Sequence, residues 1–501
     1  MSEVSGEPAV SEVGGEPAVS EAGGQPSAEH AGEKPSSGDP GGEPAMPAPG
    51  DDPRVDEDDP RADETASGWP VPPDGHRHST HRRRLGFSSP LRRVRRQRRR
   101  RSLPARVAIL LALLVVLAII YGVVELARPA PSLTVQSAVP EHFAVPGTVP
   151  SLPWPSSGTA AMAVGGVGMV GSSGGDAPLP LASVTKMMTA LVVLRDHPLA
   201  ASAQGPSLTV TPADVTDYQS KLADGESVVA VQAGETLSER QALEGLLLPS
   251  GNNIADLLAE WDAGSTSAFV AKMNTAAAGL GLTHTHYADP SGIDPASVGT
   301  ATEQVTLAEE DMASPAFASV VSEPQATLPV AGVVYNVNGL VGHDGVVGVK
   351  TGSTPETGSD LVFAADRTIA GHPVVLYGAV FGQKGASPMA TTFSETESLL
   401  DAMTADLRPV TVIAKGAEGA RIQAAWGADV PAVAKTPVSF VGWTGMQVRT
   451  QLTSRRLGNQ VMGGQEVGSL RVTTGGQSAE VGLVASHLSP APSLLWRLGH
   501  L

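Results

Sequence analysis

Ser183 and Lys186 are the two residues of this chain whose types and spacing most clearly suggest chemistry. After Ser183, apolar side chains recur with a period near 3.6, which predicts a mostly buried helix that begins at or just after this serine. Side chains three residues apart share one helical face, so the Lys186 amine can reach the Ser183 hydroxyl. A serine beside a buried amine, at the positive end of a helix, can act as an activated nucleophile. Taken alone, the spacing favours a simpler interpretation, a helix cap followed by a surface lysine.

A second group, Ser250-Gly251-Asn252, stands between two predicted helices. The first helix begins near Thr236, with Ser238 as a possible cap, and breaks at Pro249, while the second spans 254–261. A tight turn between them would point a hydroxyl and an amide into the same cleft. Serine, glycine and asparagine are also ordinary turn residues, so this group alone favours plain turn chemistry.

The third group consists of Lys350, Thr351, Gly352 and Ser353, near the end of a strand predicted over 345–354. Small residues in this strand would let a ligand backbone approach closely. The lysine and the threonine would then present a cation and a hydroxyl along the edge of a cleft. An exposed strand end would explain the same residues if they were considered alone.

Composition excludes several classes of site. The chain has no cysteine, which rules out disulfides, cysteine nucleophiles and thiolate metal sites. Its twelve histidines show no ligand spacing, so we predict no metal ion and no cofactor. The formal net charge of −17 argues against a nucleic-acid partner, although the charge is segregated along the chain.

The N-terminal region begins with acidic sequence and then inverts its charge. Residues 1–76 open with three related nonamers, contain almost no large apolar side chains, and are predicted to form a disordered cytoplasmic tail. Residues 77–106 are an arginine-rich juxtamembrane segment with no acidic residue. A nucleic-acid patch is the alternative for this segment, and it is disfavoured because only Phe87 could stack on bases.

Residues 107–124 are predicted to form a transmembrane helix. They are apolar apart from Tyr121 and Gly122, and as a helix they would span roughly 27 Å, enough for a bilayer core. Positive charge stays on the cytoplasmic side, so we expect a single-pass protein with everything after Arg128 outside the cell membrane. A cleaved signal peptide is the alternative, but a leader of about 100 residues is far too long for one.

Four segments follow the predicted membrane span. Residues 129–155 are rich in proline and predict an extended spacer that holds the next domain away from the bilayer. Residues 156–407 are the predicted catalytic domain, in which we expect a strand over 160–170, a loop-rich stretch over 214–230 and a closing helix over 395–407.

Residues 408–488 alternate β-branched runs with glycine-rich turns and predict a small all-β domain, with Trp443 as a large apolar anchor. The tail, 489–501, ends in apolar residues that could lie on the membrane surface or pack against the β domain. Since a membrane helix is already predicted, packing is favoured.

The three chemical groups together are far more specific than any one of them. Ser-x-x-Lys, Ser-x-Asn and Lys-Thr-Gly each occur once, in this order, about 67 and then 100 residues apart. This set resembles the penicillin-recognising serine enzymes. Between the motifs the chain is most similar to the serine D-alanyl-D-alanine carboxypeptidases, the low-molecular-mass penicillin-binding proteins, over roughly 154–400. The similarity is carried by PLASVTKMMTALVVL, GETLSERQALEGLLLPSGNNIADLLAEW, FVAKMNTAAAGLGLTHTHYADPSGID and GVVGVKTGSTPETGSDLVFAA.

The resemblance implies an α/β catalytic domain of the transpeptidase and β-lactamase type, in which a sheet with flanking helices is joined to a helical subdomain. A central helix, a helix–helix turn and a sheet-edge strand would enclose one pocket. Two positions depart from the common family pattern, because Asn253 replaces an aspartate and Thr357 an alanine. We expect neither position to carry the chemistry.

The resemblance also implies a reaction, the release of the terminal D-Ala from peptidoglycan stem peptides that end in D-Ala-D-Ala. Ser183 would attack the penultimate D-Ala carbonyl, and neutral Lys186 would take its proton. That requires the pKa of Lys186 to fall by about three units, through burial and the nearby positive charge of Lys350. Ser250 would relay a proton to the leaving amine, and Asn252 would hold the substrate amide.

The same resemblance assigns the terminal carboxylate to Lys350 and Thr351, on the strand that continues through Gly352 and Ser353. The backbone N–H groups of Ser183 and Ser353 would form an oxyanion hole. β-Lactams would acylate the same serine and inhibit the enzyme covalently.

Two other functions are open at this point. A class A β-lactamase shares all three motifs but adds a glutamate that activates the deacylating water, and the corresponding stretch here, 283–294, contains no glutamate. We therefore expect slow turnover of β-lactams. The other alternative is a catalytically silent cell-wall scaffold that keeps the fold. Carboxypeptidase and transpeptidase activity are not separated, since they differ only in what accepts the acyl group.

Overall fold

The computed structural model describes residues 103–499. The predicted acidic tail and most of the arginine-rich segment lie outside the described residues. The first element of the described residues, helix α1 (Leu103–Ala127), contains the predicted membrane span. Within Pro104–Ala127 an 18-residue window reaches a mean hydropathy of 3.2, and within 103–499 this is the one helix long and apolar enough to cross a membrane.

Helices and strands are interspersed along the chain after α1. The helices are α2 (Lys186–Asp196), α3 (Pro212–Ala223), α4 (Glu239–Leu247), α5 (Asn252–Ala263), α6 (Thr266–Gly279), α7 (Ala301–Met312), α8 (Pro315–Val321), α9 (Pro388–Asp406) and α10 (Leu494–Gly499). A 3-10 helix, Ala182–Thr185, leads directly into α2. The strands are β1 (Thr134–Ser137), β2 (His142–Ala144), β3 (Thr159–Val164), β4 (Gly168–Ser173), β5 (Leu179–Pro180), β6 (Ser207–Thr209), β7 (Thr236–Ser238), β8 (Val298–Gly299), β9 (Gln325–Leu328), β10 (Gly332–Tyr335), β11 (Val346–Thr354), β12 (Gly358–Ile369), β13 (His372–Gln383), β14 (Arg408–Ile413), β15 (Glu418–Gln423), β16 (Asp429–Ala434), β17 (Val438–Gly442), β18 (Gln447–Ser454), β19 (Glu466–Thr474) and β20 (Gln477–Ala485).

A five-stranded antiparallel sheet, in the order β11-β12-β13-β3-β4, forms the centre of the catalytic region. The stretch predicted as one strand over 160–170 is instead a hairpin, β3 and β4, that turns through Gly165–Val167. Gly166 has a φ of +69°, a conformation that glycine adopts at little cost. All six residues of β3 are buried, so the strand lacks the alternation that would have marked its end.

Helix α2 lies in the middle of the apolar core on one side of this sheet. Every residue from Lys186 to Leu194 is buried, which confirms the predicted buried helix. Helices α4, α5, α6 and α7 pack against it or its neighbours, and α9 contacts β12 and β13. Fully burying a methionine or leucine side chain contributes roughly 1.5–3 kcal/mol, so Met187, Met188 and Leu191 hold α2 firmly in place.

Helix boundaries follow the capping chemistry. Ser238 caps α4 in a reciprocal box with Gln241, as its position before the apolar run predicted. The stretch predicted to be loop-rich over 214–230 begins instead within α3, so the prediction is wrong for its first part. Thr211 and Asp214 form a capping box there, and Val215 and Tyr218 pack partly buried against the core. These two and Leu222 have helical spacing, but they stand among polar residues and none is fully buried, so the pattern was overlooked.

The proline-rich segment, 129–155, also differs from the expected spacer. Strand β1 pairs with β15, and β2 pairs with β18, so this segment supplies two edge strands to the sheet of the C-terminal region. The prolines at 131, 140 and 146 flank these strands and do not interrupt them, which is how prolines are tolerated beside a sheet. The segment is therefore part of a folded sheet over 134–144.

The β region, residues 408–488, contains strands β14–β20. With β1 and β2 it forms a seven-stranded sheet in the order β1-β15-β16-β20-β19-β18-β2, and β14 pairs with β17. Trp443 is buried in its core, as expected for an apolar anchor. Near the C-terminus, α10 contacts α1, and the Tyr121 hydroxyl donates to the Leu498 carbonyl oxygen at 3.2 Å. The tail also contacts the β region, where the rings of Trp496 and Trp426 meet edge to face.

Candidate active site

Ser183 lies in the 3-10 helix that precedes α2, and it is half-exposed between buried neighbours. Lys186 is the first residue of α2 and is completely buried. The Lys186 Nζ and the Ser183 Oγ are 2.8 Å apart, as the three-residue spacing predicted. Ala182 has a φ of +45°, a costly backbone conformation for a residue with a side chain, so the surrounding packing must hold this turn.

The amine of Lys186 has three neighbours at hydrogen-bond distance. Besides Ser183, these are the Asn252 Oδ1 at 2.6 Å and the Ser291 carbonyl oxygen at 2.9 Å. Burial lowers the pKa of Lys186 to about 7, because charging an amine away from water is costly. The carboxylates of Asp289, Asp256 and Glu226 act in the opposite direction and keep the pKa from falling further. Lys186 can therefore be neutral near pH 7, the state in which it can accept a proton.

The turn between α4 and α5 brings Asn252 to Lys186. Ser250 has a φ of +67° there, and the Asn252 N–H donates to the Ser227 carbonyl oxygen at 2.8 Å. The amide of Asn252 is used at both ends, since its Nδ2 donates to the Glu226 Oε2 at 2.7 Å. The Ser250 Oγ is buried and has no hydrogen-bond partner among the described residues. An unpaired buried hydroxyl is uncommon, and this one belongs to the residue two positions before Asn252, which accepts from Lys186.

Asn253, one of the two departures from the family pattern, has a structural contact. Its side-chain amide accepts from the Val229 N–H and donates to the Val229 carbonyl oxygen, both at 2.9 Å. These two bonds tie the start of α5 to the loop that follows α3. The Asn253 side chain therefore bonds to Val229 and not to Lys186.

Strand β11 forms the other wall, at the edge of the central sheet. Gly352 is required here for close approach, because a Cβ at this position would lie 2.9 Å from the Leu181 carbonyl oxygen. The small residue thus lets the strand approach the turn that carries Ser183, where we had expected it to admit a ligand. Thr351 is buried and Ser353 is exposed.

Lys350 is buried, and its Nζ donates to the Thr351 carbonyl oxygen at 3.1 Å. Burial, and then the positive charge of Lys186, hold the pKa of Lys350 well below its usual range. We had expected the charge of Lys350 to help lower the pKa of Lys186. Burial lowers it instead, and it is the charge of Lys186 that acts on the pKa of Lys350. A bound carboxylate would restore the charge on Lys350 by pairing with it.

A loop over 289–293 closes the site beneath Lys186 and presents the Ser291 carbonyl oxygen. The Asp289 carboxylate accepts from the backbone N–H groups of Ser291, Gly292 and Ile293 at 3.0–3.2 Å. The Thr189 hydroxyl of α2 donates to the Pro290 carbonyl oxygen at 2.6 Å and joins the loop to the helix. These bonds fix the carbonyl group that accepts from Lys186.

Ser183, Asn252 and Ser353 line one cavity of about 560 Å³. Three carboxylates, those of Asp224, Glu226 and Glu356, also line it. A slightly larger cavity of about 600 Å³ lies elsewhere, between Tyr377 and Gln477, and contains none of the predicted site residues. We assign the chemistry to the first cavity because it contains a serine within reach of a neutral amine.

The described residues, 103–499, contain no group of three histidine, aspartate or glutamate side chains that could hold a metal ion. The groups at the cavity are suited to acyl transfer. They combine a half-exposed hydroxyl, an amine that can accept its proton, and the Asn252 amide beside that amine.

Three residues of the site were not predicted from sequence: Glu226, Asp289 and Ser291. Asp289-Pro290-Ser291-Gly292 has the composition of a tight turn, which is the signal that could have located the loop. Glu226 lies in a polar stretch with no periodicity, and only the fold brings it to Asn252.

The chain is similar to known proteins over the region that contains this cavity. The family model described as D-alanyl-D-alanine carboxypeptidase matches residues 169–381. The D-alanyl-D-alanine carboxypeptidase DacB2 of Mycobacterium tuberculosis is 37% identical over 195 residues, which cover 38% of this chain and 62% of that protein. The D-alanyl-D-alanine carboxypeptidase of Streptomyces sp. strain K15 is 36% identical over 229 residues, which cover 41% of this chain and 77% of that protein. The crystal structure of the Streptomyces K15 DD-transpeptidase is 29% identical, with a TM-score of 0.43 and coverage of 52% of this chain and 98% of that one.

Proposed function

Because this chain belongs to the D-alanyl-D-alanine carboxypeptidase family of serine peptidases, we propose that it removes the terminal D-Ala from peptidoglycan stem pentapeptides. The observation that carries the proposal is the hydrogen-bonded series from Ser183 through Lys186 to Asn252, in a cavity large enough for a peptide end. A scaffold would have no need to keep a lysine whose pKa is lowered to about 7 beside a half-exposed serine.

In the first step, the Ser183 oxygen forms a bond to the carbonyl carbon of the penultimate D-Ala, and neutral Lys186 takes the hydroxyl proton. The C–N bond to the last D-Ala then breaks, and a proton passes to the leaving amine through the unpaired Ser250 hydroxyl. In the second step a water oxygen bonds to the acyl carbon and the ester bond to Ser183 breaks. A proton of that water restores the Ser183 hydroxyl, and the shortened peptide leaves with a free carboxylate.

The terminal carboxylate of the peptide is assigned to Lys350 and Thr351, on the strand whose Gly352 packs against Leu181 and Ala182, just before the serine. Binding that carboxylate selects for a free chain end, which is the reason to expect a carboxypeptidase. The backbone N–H groups of Ser183 and Ser353 are assigned to the oxyanion, and Ser353 lines the same cavity as the nucleophile.

Helix α1 is proposed to anchor the enzyme in the cell membrane, with the N-terminus cytoplasmic and the catalytic region outside, facing the cell wall. Its length and hydropathy support the span, and the arginines before it support the orientation. Anionic lipid head groups would attract the same arginines.

The test uses the full-length protein in detergent. We expect release of D-Ala from a pentapeptide ending in D-Ala-D-Ala and covalent labelling by a fluorescent penicillin, both lost in Ser183→Ala. Repeating the reaction with an amine acceptor measures transpeptidation, because an acceptor that competes with water forms a new peptide. A wild-type protein that is neither labelled nor active would favour the scaffold alternative.

β-Lactams are proposed to be slow-turnover inhibitors of this enzyme. The stretch 283–294 contains no glutamate to activate a deacylating water. The one carboxylate within it that lies at the site, that of Asp289, is occupied by backbone N–H groups and two serine hydroxyls. Rapid hydrolysis of penicillin by the purified protein would contradict this proposal.

A further inference from the structure

The Glu226 carboxylate is the unassigned group closest to the chemistry. It lies in the loop after α3, half-buried in the wall of the catalytic cavity. Its Oε2 accepts from the Asn252 Nδ2 at 2.7 Å, while the other end of the same amide accepts from Lys186 at 2.6 Å. A single side chain, that of Asn252, thus separates Glu226 from Lys186, the base that activates Ser183.

The contact between Glu226 and Asn252 matters because of the hydrogen bonds that Lys186 makes. A neutral lysine amine has two N–H donors and one lone pair. The Asn252 Oδ1 and the Ser291 carbonyl oxygen are acceptors, so together they occupy both N–H groups. The lone pair is then left for the third neighbour, the Ser183 hydroxyl, whose proton it must receive.

These hydrogen bonds depend on which way the Asn252 amide faces. The oxygen and nitrogen ends of an asparagine amide have nearly the same shape, and their positions are determined by their partners. If the NH2 end faced Lys186, it would donate to the amine lone pair and compete with the Ser183 proton. An ionised carboxylate can only accept, so Glu226 holds the NH2 end away from Lys186.

We propose that Glu226 is a positioning residue of the active site, which fixes the Asn252 amide and so directs the Lys186 lone pair at Ser183. The inference rests on the proposed function and deepens it. One of the two Nδ2 protons is used by Glu226, and the second stays free for the carbonyl oxygen of a substrate amide. Glu226 thus orients Asn252 without preventing it from binding a peptide.

Glu226 also acts on Lys186 through its charge. The titratable groups around Lys186 are the carboxyl groups of Asp289 in the loop beneath it, Asp256 on α5 and Glu226, together with the amine of Lys350 on β11, whose own pKa is lowered. Removing one of the three carboxylates lowers the pKa of Lys186. The acid limb of the acylation profile, which reports Lys186 in the free enzyme, should then move to lower pH.

The experiment measures the second-order rate of acylation by a fluorescent penicillin between pH 5 and 9, for the full-length wild type and Glu226→Gln. Wild-type acylation should rise with pH through about 7, where Lys186 loses its proton. In Glu226→Gln, the plateau at high pH should fall by up to about 100-fold, because the amide is free to turn, and the acid limb should move to lower pH. A loss of packing alone would lower the plateau without moving the limb.

Two variants complete the test. Glu226→Asp keeps the charge with a shorter side chain, so the limb should stay at its wild-type position and the plateau should recover in part. Asp176→Asn removes an exposed carboxylate from the loop before Ser183, and it should leave both the plateau and the limb unchanged. Thermal unfolding of each variant verifies that it is folded.

Several outcomes would overturn the inference. A labelled wild type with an unchanged Glu226→Gln profile would reject it and leave the proposed function intact. So would a Glu226→Gln enzyme that is acylated normally but releases the penicilloyl group more slowly, since Glu226 would then act on the deacylating water. A wild type that is never labelled would reject both the proposed function and this inference.

Discussion

The catalytic region and the β region treat charge in opposite ways. The catalytic region buries Lys186, Lys350, Asp311 and Asp360 almost completely, and burial moves the pKa of each towards its neutral form. Among residues 408–488, all of which the structure describes, no charged residue is buried. Their ion pairs lie on the surface, for example Arg421 with Glu418 and Arg455 with Glu466.

The difference shows that the free-energy cost of burying ionisable groups falls on the catalytic region. A buried charge without a partner is expensive, and a structure removes the expense by neutralising the group. In the catalytic region this yields a lysine that can act as a base near pH 7. The β region has no such requirement, and its buried core is made of apolar side chains such as Leu470 and Val472.

The largest expected effect is that of Lys186→Met. Loss of the base should reduce acylation of Ser183 by on the order of 100- to 10,000-fold, the usual contribution of a general base. Stability should change little, because burying an apolar side chain in place of an amine offsets the hydrogen bonds that the Asn252 Oδ1 and the Ser291 carbonyl oxygen lose. Labelling kinetics and thermal unfolding check both halves, with the exposed Lys435→Met as the control. A strongly destabilised Lys186→Met protein would contradict the view that this lysine is kept for chemistry alone.

Leu470→Ala should lower stability and leave acylation unchanged, the opposite of what is expected for Lys186→Met. Leu470 is fully buried in β19, so its truncation should lower the free energy of unfolding by about 2–5 kcal/mol. The acylation rate per folded molecule should not change, since the residue is in the β region. Urea unfolding and penicillin labelling measure the two effects. The matched control is Leu488→Ala, whose side chain is 50% exposed and whose loss should be nearly neutral. Slower acylation by folded Leu470→Ala would show that the two regions are coupled.

Asp360→Asn tests the cost of a buried carboxyl group. Burial raises the pKa of Asp360 to about 7, whereas an unfolded aspartate ionises near 3.9. The folded state therefore binds more protons than the unfolded state between these values, and wild-type stability should decline by a few kcal/mol as pH rises from about 4 to about 7. Asparagine cannot ionise and can still accept from the Gly382 N–H, so the decline should flatten in the variant. Urea unfolding at pH 5 and pH 7.5 measures this, and equal declines in both proteins would contradict it. Asp401→Asn, at an exposed position on α9, is the control.

The smallest expected effect is that of Arg455→Ala. Arg455 pairs with Glu466 at 2.9 Å, and their side chains are 65% and 39% exposed. Exposed pairs of this kind contribute at most about 1 kcal/mol, and salt screens them. Thermal unfolding should therefore be nearly unchanged, and the small difference should vanish at high salt. A large loss of stability would show that the β region depends on its surface pairs.

Local sequence was sufficient wherever the signal was local. The helix after Ser183, the Ser238 cap and the strand that carries Lys350 were all predicted, because each depends on residues within one or two turns. Helix α3 and the β3–β4 hairpin were missed for two opposite reasons. Helix α3 has no fully buried residue, and its three large apolar side chains stand among polar ones, whereas the first strand of the hairpin is entirely buried and shows no alternation.

The sequence by itself determined the three chemical groups, their order and the apolar helix that precedes them, since residue type and spacing are written along the chain. Only the tertiary structure decided how these groups work together. The pKa of Lys186 depends on burial within a core built from distant segments, and its orientation depends on Asn252, Ser291 and Glu226. The tertiary structure also decided that residues 134–144 belong to the sheet of the β region. Both outcomes depend on contacts between residues far apart in the chain, which no local pattern records.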